Sequence, residues 1–278
     1  MSLAPGSVHA PVPMQRAFGR VAARVAVDDG APPVTRLKRL HQAGCLKLRF
    51  PRLPDGRLEG VLINTSGGLT GGDRIEQSFE AADGAALTVT TQAAERIYRA
   101  SSGDARVATS LRVGEGGHLA FLPQETILFD GGRLRRNLDI ELAPGAGLLI
   151  SESVILGRAL MGEVVREGLF RDSWRVRRNG RLVFAEEARI EGSVEALASR
   201  RAALGEMRAF ATILATIPEG GADLEAARDL VGDTGGASVV DGFLVVRLAA
   251  PSGFTLRKRL MPLLAALAKG PLPRVWSL

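Results

Sequence analysis

The sequence predicts a mainly β protein: a β-helical or layered, solenoid-like fold built from repeated hairpin units, with two or three helices toward the C-terminus. Three observations lead there. Short runs alternate apolar and polar residues, turn signals punctuate them, and those turns recur at a fixed interval. The 278 residues include 33 Gly and 14 Pro but only 5% aromatics, a composition of many tight turns and modest core pieces.

Residues 1–20 hold three prolines and no periodicity, so they read as a mobile N-terminal arm, with a single domain over residues 21–278. Asp55-Gly56 between the β-type runs 46–50 and 58–64 predicts a hairpin. The repeat follows. Asp83-Gly84-Ala85-Ala86-Leu87-Thr88-Val89, Glu115-Gly116-Gly117-His118-Leu119-Ala120-Phe121 and Pro144-Gly145-Ala146-Gly147-Leu148-Leu149-Ile150 share one form. A fourth, Asn179-Gly180-Arg181-Leu182-Val183-Phe184, fits with a one-residue slip. Leu87, Leu119, Leu148 and Leu182 are spaced by 32, 29 and 34 residues. Before each turn lies an alternating strand, through Ile75, Gln77, Phe79 and Ala81, then Val107, Thr109, Leu111 and Val113. The third runs through Leu134, Leu138, Ile140 and Leu142, and the fourth through Phe170, Trp174 and Val176. Period-2 patterning with one polar face suits half-buried strands, and such units must stack to bury their faces. A sandwich is the alternative the pattern allows.

Beyond the repeat, residues 195–205 read as a helix and 208–217 as a strand. A helix is expected over 222–231, where Leu224, Ala227 and Leu230 share a face and Gly232 is the stop. Asp241-Gly242 between 237–240 and 243–249 predicts a second flanking hairpin, and the two flanking hairpins would cap the stack. Leu256, Leu260, Leu263, Leu264 and Leu267 recur at helical spacing over 255–269, with Pro262 bending that helix or marking its start.

The net charge of +6 and a pI near 10.3 bring an acidic partner, nucleic acid included, into consideration. Only four of the 36 basic residues are lysines, and aromatics for base stacking are scarce, so no nucleic-acid role is expected. The single cysteine, Cys45, excludes an intramolecular disulfide and fits a reducing compartment. Met1–Arg20 lacks a signal-peptide core and no stretch is apolar enough to span a membrane, which predicts a cytoplasmic protein.

A nucleophile elbow, a Walker loop and a Cys or His metal cluster are each absent, and His9, His41 and His118 stand far apart. Three stretches remain. Asn64-Thr65-Ser66-Gly67-Gly68-Leu69-Thr70-Gly71-Gly72-Asp73 is dense enough in glycine to cradle an anion, but no Lys-Ser/Thr follows it; a tight crossover fixing Asp73 is the simpler reading. In Ser151 to Glu163, Glu152 and Glu163 stand in a stretch poor in charge, suited to acid–base work, to cation contact, or to pairing with Arg158. Thr90-Thr91-Gln92-Ala93-Ala94-Glu95-Arg96-Ile97-Tyr98-Arg99 carries a polar line and the only tyrosine.

These stretches, in this order, resemble the urease accessory protein D family, also called UreD or UreH. The matching elements are Leu46 to Arg52 (LKLRFPR), Gly67 to Asp73 (GGLTGGD), Thr90 to Arg99, Leu122 to Gly132 (LPQETILFDGG), Gly157 to Glu163 (GRALMGE), Leu244 to Ala250 (LVVRLAA) and Pro273 to Trp276 (PRVW). Asn64-Thr65-Ser66 departs from the His-Pro-Pro that many relatives carry before the first Gly-Gly. The resemblance implies a non-enzymatic scaffold of urease maturation that binds apo-urease and the accessory protein F, and through F the GTPase G, in a dimer of heteromers. It implies no tightly bound cofactor, only nickel in transit along an interior polar passage. Carried over onto this chain, the metal contacts would be Asp73 and Glu163, with Arg158 orienting Glu163. Gly67, Gly68, Gly71, Gly72, Gln92 and Gly162 would be the shaping motif residues. Two rivals stand beside it: a β-solenoid enzyme acting on an acidic polymer through Asp73, Glu152 or Glu163, and a basic nucleic-acid-binding module.

Overall fold

The computed structural model describes residues 15–158, 161–217, 224–268 and 270–277. The first half of the chain runs β1 (Phe18–Val27), β2 (Thr35–Gly44), β3 (Leu46–Arg49), β4 (Glu59–Asn64), β5 (Arg74–Ala81), β6 (Ala86–Thr91), β7 (Glu95–Ile97), β8 (Ala105–Val113) and β9 (His118–Leu122). Then follow β10 (Thr126–Leu128), β11 (Arg133–Leu142), β12 (Gly147–Leu156), β13 (Glu167–Arg178), β14 (Arg181–Ser193), α1 (Val194–Ala198), β15 (Ala209–Thr216), α2 (Leu224–Val231), β16 (Gly235–Val240), β17 (Phe243–Ala250) and α3 (Gly253–Leu267).

Among the described residues seven strands form one sheet, in the order β14-β13-β11-β8-β5-β1-β2. Ten form the other, along β16-β17-β15-β12-β9-β6-β4-β3, with β7 and β10 beside it. The solenoid expectation holds. Each coil climbs one sheet, turns, descends the other and crosses a short third side, and successive coils pair in parallel. Thus Ile75 lies beside Val107 and Phe79 beside Leu111, and across the sandwich interior Leu87, Leu119 and Leu148 lie side by side. On the third side Leu69 pairs with Ile97, Ile97 with Leu128, and Leu128 with Leu156, all buried. Stacking equal side chains in register gives every coil the same apolar face to bury.

The unit differs from a hairpin in one respect. The first three turns join strands of different sheets, so they are arches, and the pairing runs between coils. Gly84, Gly116 and Gly145 take φ of 65°, 63° and 67° at equivalent points of these arches, a region where a Cβ is penalised. The fourth turn is a true hairpin: β13 pairs antiparallel with β14 around Asn179 and Gly180, both at positive φ. The one-residue slip marks that change, and it leaves Leu182 49% exposed while Leu87, Leu119 and Leu148 are buried.

Antiparallel strands cap the stack at both ends: β2 and β14 on one sheet, β3 and β16 on the other. The two hairpins expected around Asp55-Gly56 and Asp241-Gly242 therefore sit at opposite ends of the ten-stranded sheet. The edge strands β2 and β14 carry Arg36, Lys38, Arg39, Glu187, Arg189 and Glu191, charges that discourage pairing with another chain. Leu256, Leu260, Leu263 and Leu264 of α3 bury themselves on the outer face of the ten-stranded sheet against Ala211, Ile213 and Leu248. Pro262 lies within α3, and the start is set instead by Ser252, whose hydroxyl accepts the Thr255 N–H. Two expectations are corrected. The helix expected over 195–205 ends at Ala198, because Ser199, Arg200 and Arg201 are exposed and give it no face to bury. Of the arm expected over 1–20, Phe18, Gly19 and Arg20 belong to β1, pinned by pairing with β5 and β2, while residues 1–14 lie outside the described residues.

One polar bridge crosses the interior. Arg136 of β11 points inward where the preceding coils place Ile75 and Val107, and its register partner is Asp172 of β13. Its guanidinium donates from Nε and Nη2 to the two Asp172 oxygens at 3.0 and 2.7 Å, and from Nη1 to Glu152 Oε2 of β12 at 2.6 Å and Thr126 Oγ1 at 3.3 Å. All three charged side chains are buried, so each depends on the others: an uncompensated buried charge costs about 3–5 kcal/mol. Burial pushes the Glu152 carboxyl up from 4.5 to about 7, against the pull of Arg136.

Two outcomes follow from this architecture. Leu119→Ala is expected to cost about 2–5 kcal/mol in denaturant unfolding, because it empties the middle of a buried ladder. Leu182→Ala, on the exposed hairpin, is expected to stay within about 0.5 kcal/mol. The raised Glu152 carboxyl makes the folded state bind more protons than the unfolded chain between its two pKa values. Its stabilisation is complete below an ordinary 4.5 and lost as pH rises through about 7. The decline in melting temperature across that window is expected to flatten in Glu152→Gln; parallel curves for the two proteins would refute the assignment.

Candidate functional site

The glycine-rich stretch forms the loop between β4 and β5, stacked on the loop that follows β7. A Cβ on Gly68, whose φ is 145°, would lie 2.4 Å from the Tyr98 ring, and one on Gly71 would lie 2.2 Å from the Ser102 carbonyl oxygen. Gly67 and Gly72 are the turn positions of the same loop. Several of its N–H groups have protein acceptors: Leu69 donates to the Arg96 oxygen at 2.7 Å, Gly72 to the Asp104 oxygen at 3.1 Å, and Thr70 to Asp73 Oδ2 at 2.8 Å. A phosphate would have to displace those bonds, so the loop is a packing device. Asp73 is its clasp. It is buried, and its Oδ1 accepts the Ala17 N–H at 2.7 Å, which ties β1 to the loop.

Glu163 stands at the same edge three coils further on. Its Oε2 accepts the backbone N–H of Arg158 at 3.1 Å and Arg158 Nε at 2.8 Å, and its Oε1 accepts the Asp130 N–H at 3.3 Å. The Arg158 hydrogen bond holds its carboxyl below the usual range. Arg158 in turn lies over the Phe129 ring at 4.4 Å, and Phe129 meets Tyr98 edge-on at 5.2 Å. Arg158 and Glu163 are therefore in direct contact. Gly162 takes positive φ in this loop, and Ala159 and Leu160 of the same motif lie outside the described residues. Asp73 and Glu163 thus occupy separate edge loops, each bound to backbone donors.

The solenoid interior holds a different set. A cavity of about 210 Å³ runs from exposed lining residues Gly67, Gln92, Ala93 and Arg96 to buried ones, Thr126, Arg136 and Glu152. Neither Asp73 nor Glu163 lines it. At its mouth Glu95 of β7 accepts from Asn64 Nδ2 at 3.0 and 3.2 Å, and burial raises the Glu95 carboxyl despite that bond. Asn64, the first residue of the glycine-rich stretch, therefore sits at the entrance. Gln92 is exposed at that entrance, its N–H bonded to the Leu62 oxygen at 2.8 Å. Deeper in, Gln77 Oε1 is buried without a hydrogen-bond partner, an open acceptor on the cavity wall. The inner end is Arg136 and Glu152, with Asp172 bonded to Arg136 behind the wall.

The wall thus offers carboxylate, amide and hydroxyl oxygens and neither imidazole nor thiolate. Among the described residues no three His, Cys, Asp or Glu side chains converge. Hard oxygens in an open set contact a divalent cation without enclosing it. Sequence reasoning singled out Glu152, quoted Glu95 and placed Gln77 on the strand face of Ile75 and Phe79 without giving it a role, but missed the inward Arg136 and Asp172. A signal existed. The apolar alternation Leu134, Leu138, Ile140 skips position 136 and Phe170, Trp174, Val176 skips position 172, and those two gaps face one another in register.

The UreD urease accessory protein profile matches residues 17–277. A Rhizobium leguminosarum bv. viciae protein named urease accessory protein UreD is 52% identical over 266 residues, 95% of this chain and 96% of its own. A Chelativorans sp. (strain BNC1) protein of the same name is 49% identical over 271 residues, 96% of each chain. That of Agrobacterium fabrum (strain C58) is 47% identical over 269 residues, 96% of this chain and 94% of its own. With the match running from the start of β1 through the C-terminal Trp276, the chain belongs to the UreD family of urease accessory proteins.

Proposed function

We propose that this urease accessory protein is a non-catalytic scaffold that passes nickel toward apo-urease and links that enzyme to the accessory protein F and, through F, to the GTPase G. The observation that carries the reading is the cavity: an opening lined by Asn64, Gln92 and Glu95 leads inward past the open Gln77 oxygen to Glu152. An ion that must leave is served by weak oxygen contacts, and the shortage of His and Cys suits transit better than storage. In this reading Glu95, Gln77 and Glu152 touch the ion, while Asp73 holds the loop whose Gly67 and Gly68 line the opening and Glu163 holds an edge loop outside it. The energy-consuming step belongs to the GTPase, in keeping with a glycine loop that lacks the Lys-Ser/Thr of a phosphate loop and whose Leu69, Thr70 and Gly72 N–H groups are already bonded. The complex works in the cytoplasm as a dimer of heteromers and needs no resident cofactor.

A polymer-cleaving enzyme would need two carboxylates free in one cleft. Asp73 and Glu163 are engaged with backbone donors in different loops, and Glu152 is buried behind Arg136. A nucleic-acid reading would rest on arginines, many of which are paired with carboxylates across the sheets, as Arg24 is with Glu80 and Arg171 with Glu187.

The test is urease co-expressed with its other accessory proteins at limiting nickel, with this chain intact, deleted or carrying Glu95→Gln. Deletion is expected to abolish nickel loading of urease, and Glu95→Gln to lower it several-fold with the complex still assembled. Full loading on deletion would refute the reading; full loading with Glu95→Gln would confine the chain to docking.

A further inference from the structure

We infer that Arg136 is a resident counter-cation, which keeps Glu152 and Asp172 compensated so that a nickel ion reaching the inner end of the cavity contacts Glu152 without being trapped there. The inference rests on the passage reading above and concerns how that passage releases its ion. The charge count is its first support. One guanidinium stands between two buried carboxyl groups, Glu152 on the cavity wall and Asp172 behind Arg136, and without it the pair, once a metal displaces any bound proton, would match one divalent cation. The geometry is the second. The fork of the guanidinium grips Asp172 through two bonds and Glu152 through one, so Glu152 can turn toward an ion while Arg136 stays on Asp172. Thr126 Oγ1, at 3.3 Å from Nη1, and the Phe170 ring, 5.6 Å from the guanidinium carbon, hold it in place during that exchange. A lysine in this position would hold one carboxylate at a time and lose the asymmetry. A purely structural salt bridge would set stability alone, whereas a counter-cation also sets how tightly the interior binds metal.

The experiment measures nickel binding to the purified full-length chain by equilibrium dialysis with nickel chloride, and melting temperature with and without the metal. Arg136→Gln is expected to bind nickel about tenfold more tightly than the wild type or better, since affinity at oxygen sites follows ligand charge. Its melting temperature is expected to rise with nickel where that of the wild type does not. Adding Asp172→Asn to Arg136→Gln removes one of the two charges and is expected to return the affinity toward the wild-type value. Wild-type affinity in Arg136→Gln, or equal affinity in the single and double variants, would overturn the inference. If Arg136→Gln fails to fold even with nickel, Arg136→Lys decides: tighter nickel binding than wild type supports the inference, and equal binding overturns it. Tight binding by Arg136→Gln together with full urease loading in the absence of the chain would sink the passage reading and leave the counter-cation role standing.

Discussion

The constraint on which the rest depends is the in-register parallel stacking of coils about 32 residues long. It fixes which side chains meet. Once Leu87, Leu119 and Leu148 are neighbours, every inward position of one coil stands beside the equivalent position of the next, and a change of residue type at one rung is felt along the ladder. Apolar rungs such as Ala23, Phe79, Leu111, Ile140 and Val176 fill the interior. The row through Ile75, Val107, Arg136 and Asp172 begins apolar and ends charged, and the cavity ends where that change occurs.

A polar interior is costly, and the fold limits that cost. Charges in the interior are paired or hydrogen-bonded, as buried charges must be to persist: Arg136 with Asp172 and Glu152, Glu95 with the Asn64 amide. The same pairing keeps each oxygen a weak ligand, because an arriving cation must compete with a partner already in place. Weak contact and structural tolerance are thus two consequences of one arrangement. The outer layer is separate from it: α3 and its leucines close the far face of the ten-stranded sheet, and Arg257 joins α3 to Glu125 at 2.9 Å and to the Trp276 carbonyl at 2.8 Å, locking the C-terminus onto the second coil.

Much of this was legible in the chain. The period was readable because an arch needs a glycine at positive φ and an inward leucine three residues later, and both recur. The two flanking hairpins were readable from Asp-Gly between β-type runs. What sequence could not decide was whether a turn joins two strands of one sheet or of two, since both demand glycine; only the slip at Asn179-Gly180 distinguished the hairpin. The site was legible as motifs but not as geometry. Asp73 and Glu163 stood out because they flank glycines, and flanking glycines is what loop-clasping carboxylates do. Glu95 and Glu152 face the cavity because of strand phase, and the phase of β7 is set by the short turn after Thr91, whose hydroxyl bonds to the Ala93 oxygen. Arg136 sits in a run of arginines, where only the gap in the apolar alternation of β11 marks it as inward and the register with Asp172 shows why.

The central claim is that the interior itself carries the ion. Its most direct test fills that interior: nickel content of urease, at limiting nickel, after co-expression with a chain carrying Gln77→Phe, with recovery of the intact accessory complex measured alongside. The account predicts that the complex is recovered and that urease lacks nickel. Full nickel loading through a filled cavity would contradict it.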